Sequence, residues 1–435
     1  MKSRIAGMDG ATGPAVPESA VAPSTGPVSS GERLVTLDFI RGVAVLGVVF
    51  ANIVAFAQPY IAYGWPQGFG AEPGLLESIL WLAQFVLIDG KMRGLFTLLF
   101  GAGMALFAAR AAARGAGAGL QLRRLGWLMA FGLAHFFLLF WGDILFLYAI
   151  AGLIALPFLA IPERLLLRVG LLWYAAAALY LAASFTGPLV LEQSAEAQLA
   201  NPEHHAALVE ALGEKVREAE AERVAFTAGS YRQEIAFIAQ ERGNVLAEYP
   251  AFALLETVPL MLIGMALFRL GFFSGGCGSV RMRRWGWAGL IGGAALSLPL
   301  GLWAMLRGFP YWLTHFVADF AAPLPQLAMI LGLVALLTAW APGAATGWLG
   351  LRLVAAGRMA FTNYIATSLM MMLVFRHWAG GLWGEPGRAG LLPIALVGCA
   401  LMLAWSKPWL EHFRYGPLEW LWRCLTYGRL FALRK

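Results

Sequence analysis

The chain has 435 residues, 60% of them hydrophobic and only 13% charged, with a mean hydropathy of +0.68. Soluble domains carry about 25% charged residues, so this composition excludes a soluble globular protein and describes an all-α polytopic membrane protein with the lipid bilayer as its partner. The net charge of +7 then reads as arginines in loops facing anionic lipid, and not as a nucleic-acid surface.

Residues 1–32 are rich in Gly, Ala, Pro and Ser and lack an apolar core, which predicts a disordered cytoplasmic tail and no signal peptide. A helix needs about 20 largely apolar residues to cross the hydrocarbon. Ten runs meet that need, near 39–57, 94–110, 124–141, 144–161, 165–185, 250–270, 285–306, 318–340, 353–375 and 390–406. An eleventh, 75–88 (LLESILWLAQFVLI), is short and carries Glu77, Ser78 and Gln84.

Arginine placement tests whether that short run crosses. If it does not, Arg110, Arg114, Arg123, Arg124, Arg164, Arg168, Arg281, Arg283, Arg284 and the basic C-terminus all fall on one side. We therefore expect ten crossings of a bacterial inner membrane, both termini cytoplasmic, and 75–88 re-entrant or interfacial. The organisation follows: a transmembrane bundle over 33–185, an external helical loop over 186–249, a second bundle over 250–406, and an interfacial amphipathic helix with tail over 407–435. The external loop holds eleven glutamates against five Lys or Arg, and its stretch HHAALVEALGEKVREAEAERVAF reads as helix. It is either a cap over the outer face or a mobile surface helix.

Within this frame the polar residues of apolar runs stand out, because each is expensive in hydrocarbon. Asp143 (WGDILFLYA) falls at the turn between two antiparallel spans, where it can cap the following helix or serve a site. His135, eight residues earlier, faces an apolar neighbourhood (GLAHFFLLF) and is either a structural hydrogen bonder or a base or relay. We expect the two to border one polar cavity if they act together. His315 and Asp319 are four apart, so they share a helix face, as a general base and its orienting carboxylate or as a solvated pair. In IDGKMRGLF, Asp89, Lys91 and Arg93 gather at a broken helix, which suits a substrate site or an interfacial turn.

On the cytoplasmic side, Arg41 either pairs with Asp38 or meets a phosphate. Arg123, Arg124, Arg284 and Arg358 are further phosphate-binding candidates. Asn52, Tyr148, Thr362 and Asn363 are polar groups deep enough to meet a substrate or a neighbouring helix. In YGPLEWLWRCLTYG, Glu419 and Arg423 are spaced as an i,i+4 pair on an interfacial helix. The scattered Cys277, Cys399 and Cys424 form no C-x-x-C pair, so no metal site is expected. No Walker A loop, G-x-G-x-x-G or H-E-x-x-H is present.

Five stretches together carry a resemblance: RLVTLDFIRGVAVLGVVFANI (33–53), DGKMRGLFTLLFGAG (89–103), WGDILFLYAIAGL (141–153), GRMAFTNYIATS (357–368) and YGPLEWLWRCLTYG (415–428). In order and spacing they resemble the YeiB-like integral membrane proteins, a domain of unknown function. That family in turn resembles a superfamily of transmembrane acyltransferases that includes the heparan glucosaminide acetyltransferases. What this implies is acyl transfer from cytosolic acyl-CoA, a co-substrate and not a bound cofactor, to an external or membrane-bound glycan, lipid or small acceptor. The loop QPYIAYGWPQGFGAEPG lacks the histidine that those acetyltransferases carry there, and Thr367 stands where relatives are expected to have Gln. The residues alone fit a small-molecule transporter, or a non-catalytic partner protein, as the other readings.

Overall fold

Backbone groups in hydrocarbon must be satisfied within their own segment, so apolar runs of this length fold as helices. In a computed structural model, which describes residues 35–70, 72–115, 117–274 and 279–435, a helix lies at each of the ten expected positions. The tail 1–32 and Cys277 lie outside the described residues. The first half contributes α1 (Val35–Ala57), α2 (Leu75–Leu87), α3 (Lys91–Ala112), α4 (Ala118–Leu138), α5 (Leu145–Ala155) and α6 (Glu163–Ser184). After the cap helix α7 (Pro202–Ala228) come α8 (Val258–Arg269), α9 (Ser279–Leu306), α10 (Pro323–Ala344), α11 (Trp348–Arg358), α12 (Ala360–Phe375), α13 (Arg388–His412) and the terminal α14 (Pro417–Tyr427).

Among the described residues, seven helical units are long and apolar enough to cross a membrane, or eight if the bent pair α11–α12 is one span. The other two positions are filled by α4 and α5, an antiparallel hairpin in which Gly132 abuts Phe146 and Gly152 abuts Leu125. The segment 75–88 departs from expectation. It is the helix α2, which passes through a turn at Ile88–Gly90 into α3, so that Leu75–Ala112 forms one helical unit of 38 residues. Gly90 takes the left-handed φ of 74° that lets the chain turn and continue. A segment continuous with the next span adds no crossing of its own, which leaves the arginine pattern intact.

Close crossings set the bundle. Gly42 of α1 faces the Leu353 carbonyl, while Gly357 of α11 faces that of Asp38. A Cβ at either position would stand 2.0 Å or 1.9 Å from that oxygen. Small residues let membrane helices approach this closely, and dispersion contacts then hold them. The same crossing brings the first of the five stretches against the fourth.

The 87° bend between α11 and α12 exposes the first turn of α12, and α14 supplies its cap. Glu419 accepts hydrogen bonds from Phe361 N (2.8 Å), Thr362 N (3.0 Å) and Thr362 Oγ1 (2.5 Å), and Leu418 N donates to Thr362 Oγ1. Glu419 was expected to face Arg423, yet an uncapped helix start is the stronger claim on a carboxylate. Arg423 lies 4.3 Å from the Tyr415 ring.

The loop 186–249 is a cap clamped to the bundle. Glu222 on α7 is fully buried, accepting Tyr60 N (2.9 Å) and Arg242 Nη2 (2.8 Å). Arg242 lies over the rings of Tyr60 and Trp141. Glu234 holds Arg376 and Trp378 in the same way, and Arg376 packs over Phe226 at 3.7 Å. Burial pushes both carboxyls above their ordinary values, and the arginines pull them back.

Candidate functional site

Two cavities open from opposite ends of the bundle. The first, about 310 Å³, lies at the end that carries α14. It is lined by five arginines, Arg41, Arg110, Arg124, Arg358 and Arg423, against two carboxylates, Asp38 and Glu419. Both carboxylates are engaged, Asp38 by Arg41 at 2.8 Å and Glu419 by the start of α12. Arg124 stacks among the rings of Phe107 (4.8 Å), Trp422 (4.7 Å) and Phe100 (5.8 Å). Its Nη1 is buried and meets no hydrogen-bond acceptor among the described residues.

The second cavity, about 630 Å³, lies beneath the cap. It reverses the charge balance: Asp89, Glu218, Glu248, Glu256 and Asp319 stand against Arg93, Lys215 and Arg242, with His315 beside them. Three of these residues sit in short π-helical turns, Ile238–Arg242, Ala253–Thr257 and Phe316–Ala321. A π turn inserts a residue and re-aims the side chains around it, and such turns recur at functional sites. Here they deliver Arg242, Glu256 and Asp319 to the cavity wall. Arg93 pairs with Glu256 at 2.9 Å, Asp319 holds His315 Nδ1 at 2.9 Å, and Gln84 donates to Asp89 at 3.1 Å. His315 Nε2 has no hydrogen-bond partner among the described residues, and Asn52 lines the cavity.

Between the cavities lies a buried polar chain. His135 Nδ1 meets Asp143 Oδ1 at 2.7 Å, and His135 Nε2 meets Ser368 Oγ at 2.8 Å. Asp143 Oδ2 accepts Phe146 N at 2.6 Å, the expected cap of α5, and its backbone carbonyl accepts Tyr249 Oη at 2.9 Å. All three members of the chain are at most 2% exposed. Ile144, directly after Asp143, lines both cavities. Tyr148 lines the basic cavity and bonds Thr97 Oγ1 (2.8 Å) and the Arg93 carbonyl (3.2 Å), while Arg93 itself lines the other.

Several expected site residues are placed elsewhere. His135 and Asp143 border neither large cavity; they satisfy each other in the wall between, flanked by Gly142 and Ile144, which do line the second one. Lys91 is buried, donates to the Phe85 carbonyl at the end of α2 and lines neither large cavity. Thr362 is consumed by Glu419 and Leu418. Asn363, fully buried, bonds Ala356 O, Ser406 Oγ and Trp405 Nε1. Arg123 reaches the Thr426 carbonyl, at 3.5 Å, and Arg284 is exposed on α9; neither lines the basic cavity. Arg41, Arg124 and Arg358 do. Among the described residues no group of three His, Cys, Asp or Glu is placed to hold a metal ion.

Sequence reasoning missed Ser368, Tyr364 and Glu256. Ser368 and Tyr364 sit in the GRMAFTNYIATS stretch, four residues apart, and that spacing on one helix face was the available signal. Nothing local marks Glu256 as the partner of Arg93, 163 residues away.

Comparison with known proteins agrees with the arrangement of stretches. Residues 267–429 match the family described as "Protein of unknown function (DUF418)". The chain is 32% identical over 404 residues to the uncharacterized protein YeiB of Escherichia coli (strain K12), covering 91% of this chain and 96% of that one. It is 28% identical over 431 residues to the uncharacterized protein YxaH of Bacillus subtilis (strain 168), covering 92% and 96%. An uncharacterized 39.9 kDa protein from Bacillus acidopullulyticus is 26% identical over 414 residues. No solved structure matches the chain. Identity at this level over nearly the full length of both chains places the protein in a family of multi-pass membrane proteins: the chain belongs to the YeiB-like family.

Proposed function

We propose that the protein is a membrane-embedded acyltransferase that takes an acyl group from cytosolic acyl-CoA and delivers it to a hydroxyl or amine acceptor on the other side of the bacterial inner membrane. The observation that carries this reading is the pair of oppositely charged cavities sharing Ile144. The arginine excess supports a cytoplasmic position for the basic cavity. Five guanidinium groups with ring stacking suit the phosphates and adenine of CoA, and Arg124, with an unsatisfied Nη1, is the phosphate ligand of choice. The outer cavity, with its acidic balance and Asn52 amide, suits a polyhydroxylated or amino-bearing acceptor. His315, oriented by Asp319 and with Nε2 unpartnered among the described residues, is the base that takes the acceptor's proton.

The test is CoA binding to the full chain in lipid nanodiscs, followed by calorimetry. Wild type is expected to bind acetyl-CoA, and Arg124→Ala to weaken binding at least tenfold with unchanged thermal stability. Absence of binding, or binding indifferent to Arg124→Ala, overturns the donor assignment. Proteoliposome flux of a solute without CoA would then favour a transporter that uses the same two cavities in alternation.

A further inference from the structure

Resting on that reading, we propose that Ser368 is a nucleophile that carries the acyl group between the two cavities, as a transient acyl-serine activated by His135 and Asp143. The geometry is that of a serine, a histidine and a carboxylate in hydrogen-bonded series. Asp143 accepts at both oxygens, from Phe146 N and from His135 Nδ1. A carboxylate that only accepts fixes the ring with its proton on Nδ1. The Nε2 lone pair then faces Ser368 Oγ at 2.8 Å, closer than the Tyr364 carbonyl at 3.3 Å that competes for the same hydroxyl proton. A serine whose proton is directed at an oriented imidazole is the arrangement of an activated nucleophile.

Position makes this more than a buried network. Ser368 borders a void of about 10 Å³, roughly the room of one water. Asn52 and Val48 border both that void and the outer cavity, and Tyr364 borders both the void and the basic cavity. Ser368 therefore shares a void with residues from the walls of both cavities. Met402, flexible and unbranched, forms part of the wall and can yield to an acyl group. Tyr364, with its ring 4.9 Å from that of His135 and its own O–H meeting no acceptor among the described residues, is the donor available to the oxyanion.

The step balances without an external oxidant or reductant. Ser368 Oγ attacks the thioester carbonyl, its proton passes to His135 Nε2, and the C–S bond breaks as the C–O bond forms. The proton stays on His135 Nε2 while the CoA thiolate departs and takes its own proton from the solvent of the donor side. The acceptor's hydroxyl or amine attacks the acyl-serine from the other side and gives its proton to His315 Nε2, which sheds it to solvent, while His135 returns its proton to Ser368 Oγ as the ester bond breaks.

The experiment treats the full chain in nanodiscs with radiolabelled acetyl-CoA and, in parallel, with diisopropyl fluorophosphate, and maps adducts by peptide mass spectrometry. The expected result is an adduct on Ser368, absent in Ser368→Ala and at least tenfold slower in His135→Gln. Ser368→Cys is expected to accumulate a thioester that neutral hydroxylamine removes, which guards against a loss of label through misfolding. A protein that binds CoA but gains no adduct on Ser368 from either reagent overturns the relay and leaves the donor reading standing. A Ser368 adduct with the fluorophosphate in a protein that binds no CoA keeps the nucleophile and removes the donor. An adduct unaffected by His135→Gln overturns the triad.

Discussion

Replacing Glu419 with Ala removes three acceptor contacts at one stroke, those from Phe361 N, Thr362 N and Thr362 Oγ1. Thr362 Oγ1 keeps its bond from Leu418 N, so the loss falls on the two backbone donors at the start of α12. Hydrogen bonds to a charged group contribute about 1.5–3 kcal/mol each, and an orphaned buried donor adds its own penalty. An exposed N-cap is worth about 0.5–2 kcal/mol. A value of about 3–5 kcal/mol is therefore expected for Glu419→Ala. Glu419→Gln keeps one oxygen for both N–H groups and should cost about 1 kcal/mol. Reversible denaturant unfolding in mixed micelles measures both. Hydrogen exchange adds a local reading, because about 3 kcal/mol corresponds to roughly a hundredfold faster exchange at Phe361 and Thr362 when opening at the bend limits it. If the Ala and Gln variants lose the same stability, or Ala loses less than about 0.5 kcal/mol, α14 does not cap α12 and the reasoning fails.

Gly264→Val should abolish folded protein, since a Cβ there would stand 1.9 Å from the Leu98 carbonyl, whereas Gly103→Ala, with nothing within 4 Å, should express normally on size exclusion. Glu222→Ala leaves the buried Arg242 guanidinium with only the more distant Glu218 carboxylate, at 3.7 Å, and should cost about 3 kcal/mol, read as faster hydrogen exchange confined to the cap helix Pro202–Ala228. Equal exchange in mutant and wild type would show that the cap is not held by that pair. Ala200→Cys and Leu430→Cys should react with membrane-impermeant maleimide from opposite sides of the membrane; labelling from the same side refutes the assigned orientation.

The helices were legible because hydropathy and length act locally along the chain. Their termini were less so: Asp143 announced a cap, since its acceptor lies three residues ahead, but the partner of Glu419 lies 57 residues away. Thr362 and Asn363 looked like substrate ligands because polar groups in apolar helices demand partners. Which partner they find depends on helix rotation, and here it is α13 and α14. The same ambiguity runs the other way for Ser368, a small hydroxyl that only its spacing from Tyr364 sets apart in the chain and whose partner, His135, lies 233 residues away. The π turns that aim Arg242, Glu256 and Asp319 leave no compositional trace, since they differ from α-helix by one inserted residue.

The capping of α12 by Glu419 has a consequence for biogenesis. Translation delivers residues 360–375 well before 417–427, and domains assemble from the N-terminus as the chain emerges. Until residues 417–427 emerge, α12 has a bare N-terminus at an 87° bend, and the basic cavity lacks the wall that Trp422 and Arg423 supply. Completion of the basic cavity is thereby tied to synthesis of that helix, so a polypeptide truncated before Pro417 would insert its apolar helices yet carry a half-built cavity.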